Sequence, residues 1–101
     1  MSSVIEFTMQ AKPGHYDDVL AAYSDFAAAL QVAVPEDRLI LLTGNPATGL
    51  IRGIGVFSTA QIAEDVNSMP FFAAFNDAVA PFLAGAPERT EMDLIHMFVA
   101  E

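Results

Sequence analysis

Along this chain the apolar residues switch between two periods, and the order of the switches constrains the fold more than any other feature. From Val4 to Gln10, Ile5, Phe7 and Met9 alternate with Glu6, Thr8 and Gln10. A period of two places one set on each face of a strand. Lys12-Pro13-Gly14 ends that strand. Tyr16, Val19, Leu20, Tyr23, Phe26, Ala27 and Leu30 then follow helical spacing, with Asp17 and Asp18 at the positive end of the helix. Pro35 closes the helical region. Arg38–Thr43 reads as an apolar strand and Leu50–Ser58 as its return. Asn45-Pro46-Ala47-Thr48-Gly49 forms the turn between them. Thr59 caps a short helix carrying Ile62 and Val66. Ser68-Met69-Pro70 starts another, carrying Phe71, Phe72, Phe75, Val79 and Phe82 until Pro81 and Gly85. Glu91–Val99 alternates again and predicts the last strand.

The resulting order is β-α-β-β-α-β, the split pattern of ferredoxin-like α+β folds. It predicts a four-stranded antiparallel sheet with both helical regions on one face and an uncovered apolar second face. The length argues for one domain over residues 1–101. Apolar residues make up 53% of the chain, more than so short a domain readily buries alone. A homodimer through the uncovered sheet face would absorb the excess. Thirteen Asp and Glu against four Lys and Arg leave a net charge of -9. Such a surface repels phosphate backbones and anionic lipid, so neither nucleic acid nor membrane is expected as a partner. No apolar run approaches the roughly 20 residues of a membrane helix, and the N-terminus lacks signal-peptide character. A cytoplasmic location is the expectation. Without cysteine, thiolate metal sites and cysteine nucleophiles are excluded. Two histidines 81 positions apart form no metal-binding motif.

Three residue sets resemble the dimeric α+β barrel superfamily, in particular its antibiotic biosynthesis monooxygenase-like group. They are Ala11–Asp18 at the strand-to-helix junction, Val56-Phe57-Ser58-Thr59 leading into a broken second helix, and Ser68–Asn76. The resemblance implies two sheets packed into a shared barrel and ligands held between each sheet and its own helices. It also implies a monooxygenase-like reaction on a small aromatic or polyketide-like molecule, with neither metal nor flavin cofactor. A non-catalytic binding or interaction protein on the same scaffold is the alternative, because fold does not settle function. The haem-degrading branch uses an asparagine, a tryptophan and a histidine where this chain has Phe7, Val66 and Asn76. The chain has no tryptophan, which argues against that branch.

Candidate site residues follow from spacing and chemistry. Gly53 and Gly55 share one strand face with Phe57, and glycine inside a strand marks close approach of another group. Either a ligand cavity or a tight helix contact would lie over them. Phe7, Tyr23, Phe57, Phe72, Phe75 and Met92 are the expected apolar walls. His96, on a strand face with Met92, Leu94 and Phe98, is either a neutral base or a core or interface histidine. Asn76 and Tyr23 would position an oxygen-bearing substrate, or else serve as a solvent-facing amide and a core ring. Arg52, on the face opposite the glycines, is expected at the dimer seam, paired with Glu6 or Asp93.

Overall fold

The first strand begins at Ser3, one residue before the alternating pattern, and presents Ser3, Phe7 and Met9 inward as buried side chains. A computed structural model describes residues 2–35 and 37–100. Its elements are β1 (Ser3–Gln10), α1 (Tyr16–Ala33), β2 (Asp37–Asn45), β3 (Leu50–Phe57), α2 (Ala60–Val66), α3 (Pro70–Val79), a 3-10 turn (Ala80–Phe82) and β4 (Glu88–Asp93). The strands form one antiparallel sheet in the order β2-β3-β1-β4, the ferredoxin-like arrangement. No helix among the described residues is long and apolar enough to cross a membrane.

Local chemistry explains the boundaries. The β2–β3 hairpin turns on Asn45, whose Oδ1 accepts from the Ala47 N–H at 3.0 Å and whose carbonyl accepts from the Gly49 N–H at 2.8 Å. Gly49 takes φ +78°, a conformation open to glycine at little cost. Thr59 caps α2, its Oγ1 accepting from the Ile62 N–H at 3.2 Å. Pro70 occupies the first turn of α3, where a missing N–H costs nothing. Helix α1 buries Val19, Tyr23, Phe26 and Leu30, a four-three-four stripe facing the sheet. Around it Phe26 stacks on Phe75 with ring centroids 4.8 Å apart, and Tyr23 meets Phe75 edge-on at 5.1 Å.

The last strand departs from expectation. It spans Glu88–Asp93 rather than Glu91–Val99. Its partner, β1, starts at Ser3, which pairs with Asp93. The Leu94 N–H still donates to the Ser2 carbonyl at 3.0 Å; beyond that point no ladder partner stands among the described residues. Residues 95–100 therefore run on outside the sheet and exposed. The register also settles the faces. Ser3, Ile5 and Phe7 pair with Asp93, Glu91 and Arg89 on the helix side, whereas Met92 pairs with Val4 on the uncovered side. Arg52 pairs with Thr8 on that uncovered face, opposite the face of Asp93, and is exposed. Leu41 and Met92 on this face are 48% and 42% exposed.

At the start of β2 the register shifts between Asp37 and Leu39. The Asp37 Oδ1 accepts from the Leu39 N–H at 3.4 Å, while its Oδ2 is buried without a hydrogen-bond partner among the described residues. Burial pushes this carboxyl up to about 6 from an ordinary 3.8. A folded-state value above the unfolded one favours the fold when the group is protonated. That contribution is complete below 3.8 and is lost as pH rises through about 6. Asp37→Asn should therefore raise stability by about 1 kcal/mol at about pH 8, after allowance for the partial exposure of the group, and leave it unchanged at about pH 3. Urea denaturation at the two pH values measures the difference, and equal gains at both would contradict it.

A Cβ built on Gly53 would overlap the hydroxyl and ring of Tyr23, whereas one on Gly85 would meet nothing within 4 Å. Gly53→Ala should cost about 1–3 kcal/mol through overpacking, and Gly85→Ala should be close to neutral. Denaturation midpoints for the pair check this; a wild-type midpoint for Gly53→Ala would remove the close contact.

Candidate binding pocket

Between the sheet and its helices the packing leaves one small apolar cavity of about 40 Å³. Ile5 and Phe7 of β1 form its floor with Gly55 and Phe57 of β3. Tyr23, Phe26 and Leu30 of α1 form one wall; Ala63 and Val66 of α2 with Phe72 of α3 form the other. Asn67, at the end of α2, and Arg89 of β4 complete the lining. The cavity exists because the two strand glycines are covered differently. Tyr23 descends from α1 onto Gly53, while Gly55 is approached by Phe57, two residues along its own strand, at 2.9 Å from where a Cβ would stand. A dry cavity that binds benzene measures about 150 Å³. A ring-sized ligand thus enters only if a lining side chain swings away, and half-buried Phe72 is the least confined of the aromatic walls.

The polar groups at this cavity are hydrogen-bond donors. Burial pushes the Tyr23 hydroxyl up to about 12, so it keeps its proton at neutral pH. No described residue hydrogen-bonds it. Arg89 extends beneath α2, with Nη2 3.9 Å from Glu64 Oε2 and Nη1 3.7 Å from Glu91 Oε2. Both contacts are too long for hydrogen bonds, and Nη2 is buried without a partner among the described residues. The Asn67 amide reaches Glu64 Oε1 at 3.5 Å.

The structure thus brings Phe7, Tyr23, Gly55, Phe57 and Phe72 to one cavity. Gly53 lies beneath the Tyr23 ring, and Phe75 packs behind the lining against Phe7, Tyr23 and Phe26. Three expected members lie elsewhere. Met92 is on the opposite sheet face because its register partner is Val4. Asn76 sits in a separate surface groove with Asp77, Leu83 and Pro87. His96 lies in the exposed segment past β4, so it does not converge with Gly53 and Gly55 within this chain. The other histidine, His15, pairs with Asp18 at 2.9 Å and stacks on Phe82, away from the cavity. Arg89 and Asn67 were missed from sequence. The signal for Arg89 was its spacing of two from Glu91 and Asp93, hidden by a strand boundary placed three residues too late.

No protein-family model and no curated protein matches the chain. Solved structures do. A Caulobacter crescentus protein named provisionally as an antibiotic biosynthesis monooxygenase superposes with TM-score 0.85 at 19% identity, over 94% of this chain and 91% of that one. A Chloroflexus aurantiacus protein with the same provisional name gives 0.79 at 17% identity, over 98% of both chains. Rv0793 from Mycobacterium tuberculosis gives 0.84 at 10% identity, over 96% of this chain and 98% of that one. The chain shares its fold with these three proteins.

Proposed function

We propose that the cavity binds a small aromatic molecule through an ionised oxygen and that the bound anion reacts directly with dioxygen. The observation that carries this reading is the buried Arg89 Nη2, which makes no hydrogen bond among the described residues, at the wall of a largely apolar cavity. Glu64 and Glu91 balance the charge of the guanidinium from 3.9 and 3.7 Å, but the buried Nη2 still lacks a hydrogen-bond acceptor, and an anionic one would satisfy it best. A phenolate or enolate oxygen supplies one, and the aromatic walls suit the ring that bears it. The Tyr23 hydroxyl, held protonated by burial, donates the second hydrogen bond. Electron density from the anion then enters dioxygen at a ring carbon. That carbon keeps one oxygen as a carbonyl, and the other leaves as water with the two hydrogens the substrate loses. A phenol becomes a quinone with atoms and electrons balanced.

A second reading, binding without turnover, is favoured by one feature: among the described residues no carboxylate or imidazole lines the cavity to take the substrate proton. The ligand would then enter already ionised. The two readings share the anion site and differ in oxygen uptake. With 4-nitrophenol as probe, Arg89→Met should weaken binding of the phenolate about 10- to 100-fold and Tyr23→Phe by less than about tenfold. The phenolate absorbance band reports both. Unchanged affinity in Arg89→Met would sink the anion site. An oxygen electrode with a hydroxynaphthalene then separates turnover from binding alone.

We further propose that two copies pair through the uncovered sheet faces. The apolar composition and the exposure of Leu41 and Met92 support this reading.

A further inference from the structure

The polar side chains that line the cavity among the described residues are Tyr23, Asn67 and Arg89, and none of them is a base at neutral pH. One carboxylate stands directly behind them. Glu64 of α2 places each of its oxygens by a different lining residue: Oε1 lies 3.5 Å from the Asn67 amide nitrogen and Oε2 lies 3.9 Å from Arg89 Nη2. Helix spacing accounts for the first contact, since residues three apart share a helix face. The second crosses from α2 to β4. The two ends of this arrangement differ in their access to water. Nη2 is buried, whereas the Glu64 side chain is 61% exposed. Glu64 therefore joins the polar corner of the cavity to solvent.

Distance suits a proton transfer. A ligand oxygen accepting from Nη2 at about 2.9 Å stands at most roughly 7 Å from Glu64 Oε2. A turn of the exposed Glu64 side chain with one bridging water spans that gap. The other titratable groups around this corner are already committed. Glu91 of β4 sets Oε2 3.7 Å from Arg89 Nη1, but its Oε1 accepts from the Ser3 hydroxyl at 3.4 Å. Tyr23 of α1 keeps its own proton. Asp65, beside Glu64 on α2, accepts from Gln61 Nε2 at 2.8 Å.

We infer that Glu64 takes the proton of the bound phenol and passes it to solvent. The inference rests on the anion-binding reading above and supplies the base that the cavity lining lacks. The phenol O–H bond breaks and a new O–H bond forms on a Glu64 oxygen. The electron pair stays on the substrate oxygen, where Arg89 Nη2 and the Tyr23 hydroxyl hold it. While Glu64 carries the proton, the guanidinium faces the new phenolate in place of that carboxylate, so no charge is left stranded. Exposure then lets Glu64 return to its ionised form by giving the proton to water. The ligand thus need not enter already ionised, and the substrate class extends to phenols and enols that are neutral in water.

The probe is 2-naphthol, whose absorbance shifts on ionisation and which, like a phenol of pKa roughly 10, is neutral in free solution at about pH 6. Rapid mixing with the wild-type chain at that pH should develop the ionised band. Glu64→Gln should slow its appearance about tenfold or more, as loss of a general base does, while Glu91→Gln should leave the rate unchanged and Glu64→Asp should stay closer to wild type. At about pH 9, 4-nitrophenol is already ionised and should bind Glu64→Gln at least as tightly as wild type, because a nearby negative charge is gone. A role for Glu64 in packing alone would weaken that binding too. Ionisation of naphthol at the wild-type rate in Glu64→Gln, equal slowing in Glu91→Gln, or weakened 4-nitrophenolate binding in Glu64→Gln overturns the proton transfer and leaves the anion site standing. A wild-type chain that binds naphthol without ionising it, or does not bind it, overturns both.

Discussion

The contact of the Tyr23 ring with the bare backbone at Gly53 is the constraint on which the interior depends. It sets how closely α1 approaches the sheet, because any side chain at that strand position would overlap the ring. With α1 held there, Phe26 reaches Phe75 on α3 and Phe7 meets Phe72 edge-on at 5.9 Å. Two residues along β3 the same device is used less fully. Gly55 is covered only by Phe57 from its own strand, so a small cavity persists between α1, α2 and the sheet. The core and the pocket are thus two outcomes of one pair of glycines, one filled by a helix side chain and one not.

That cavity places a cation in an unusual position for so acidic a chain. Arg89 is one of four Lys and Arg residues, and its two nearest carboxylates stand beyond hydrogen-bond distance. Glu64 and Glu91 supply a negative field that keeps the guanidinium tolerable, while the buried Nη2 retains a donor for another acceptor. Tyr23 contributes a second donor of the opposite character, neutral because burial disfavours the phenolate. On the proposed function, a charged donor and a neutral donor at one apolar cavity are what an oxygen anion on an apolar body requires.

Much of this architecture is legible in the residues. The alternation of Ile5, Phe7 and Met9, the Asn45–Gly49 turn, the Thr59 cap and the Pro70 helix start are each local signals, and each element lies where its signal stands. The aromatic stripe of α1 identified Tyr23 as an inward side chain for the same reason. The errors gather at β4. Residues 91–99 alternate as a strand should, but alternation reports which face a side chain would take, not whether a neighbouring strand is present. Because β1 begins only at Ser3, the ladder stops at Asp93. His96 falls outside it, Met92 turns to the uncovered face, and Arg89 enters the site unannounced.

The sequence by itself determined the order of elements, the antiparallel hairpin, the helix boundaries and the set of residues able to face a core, since all of these follow from backbone chemistry and periodicity within a few residues. Tertiary structure alone decided which glycine is filled and which is left open, where β4 ends, and that Arg89 rather than His96 reaches the cavity. Those outcomes depend on the register between strands far apart in the chain and on the distance from helix to sheet. Both are set by side chains meeting across the fold, a relation no local stretch of sequence contains.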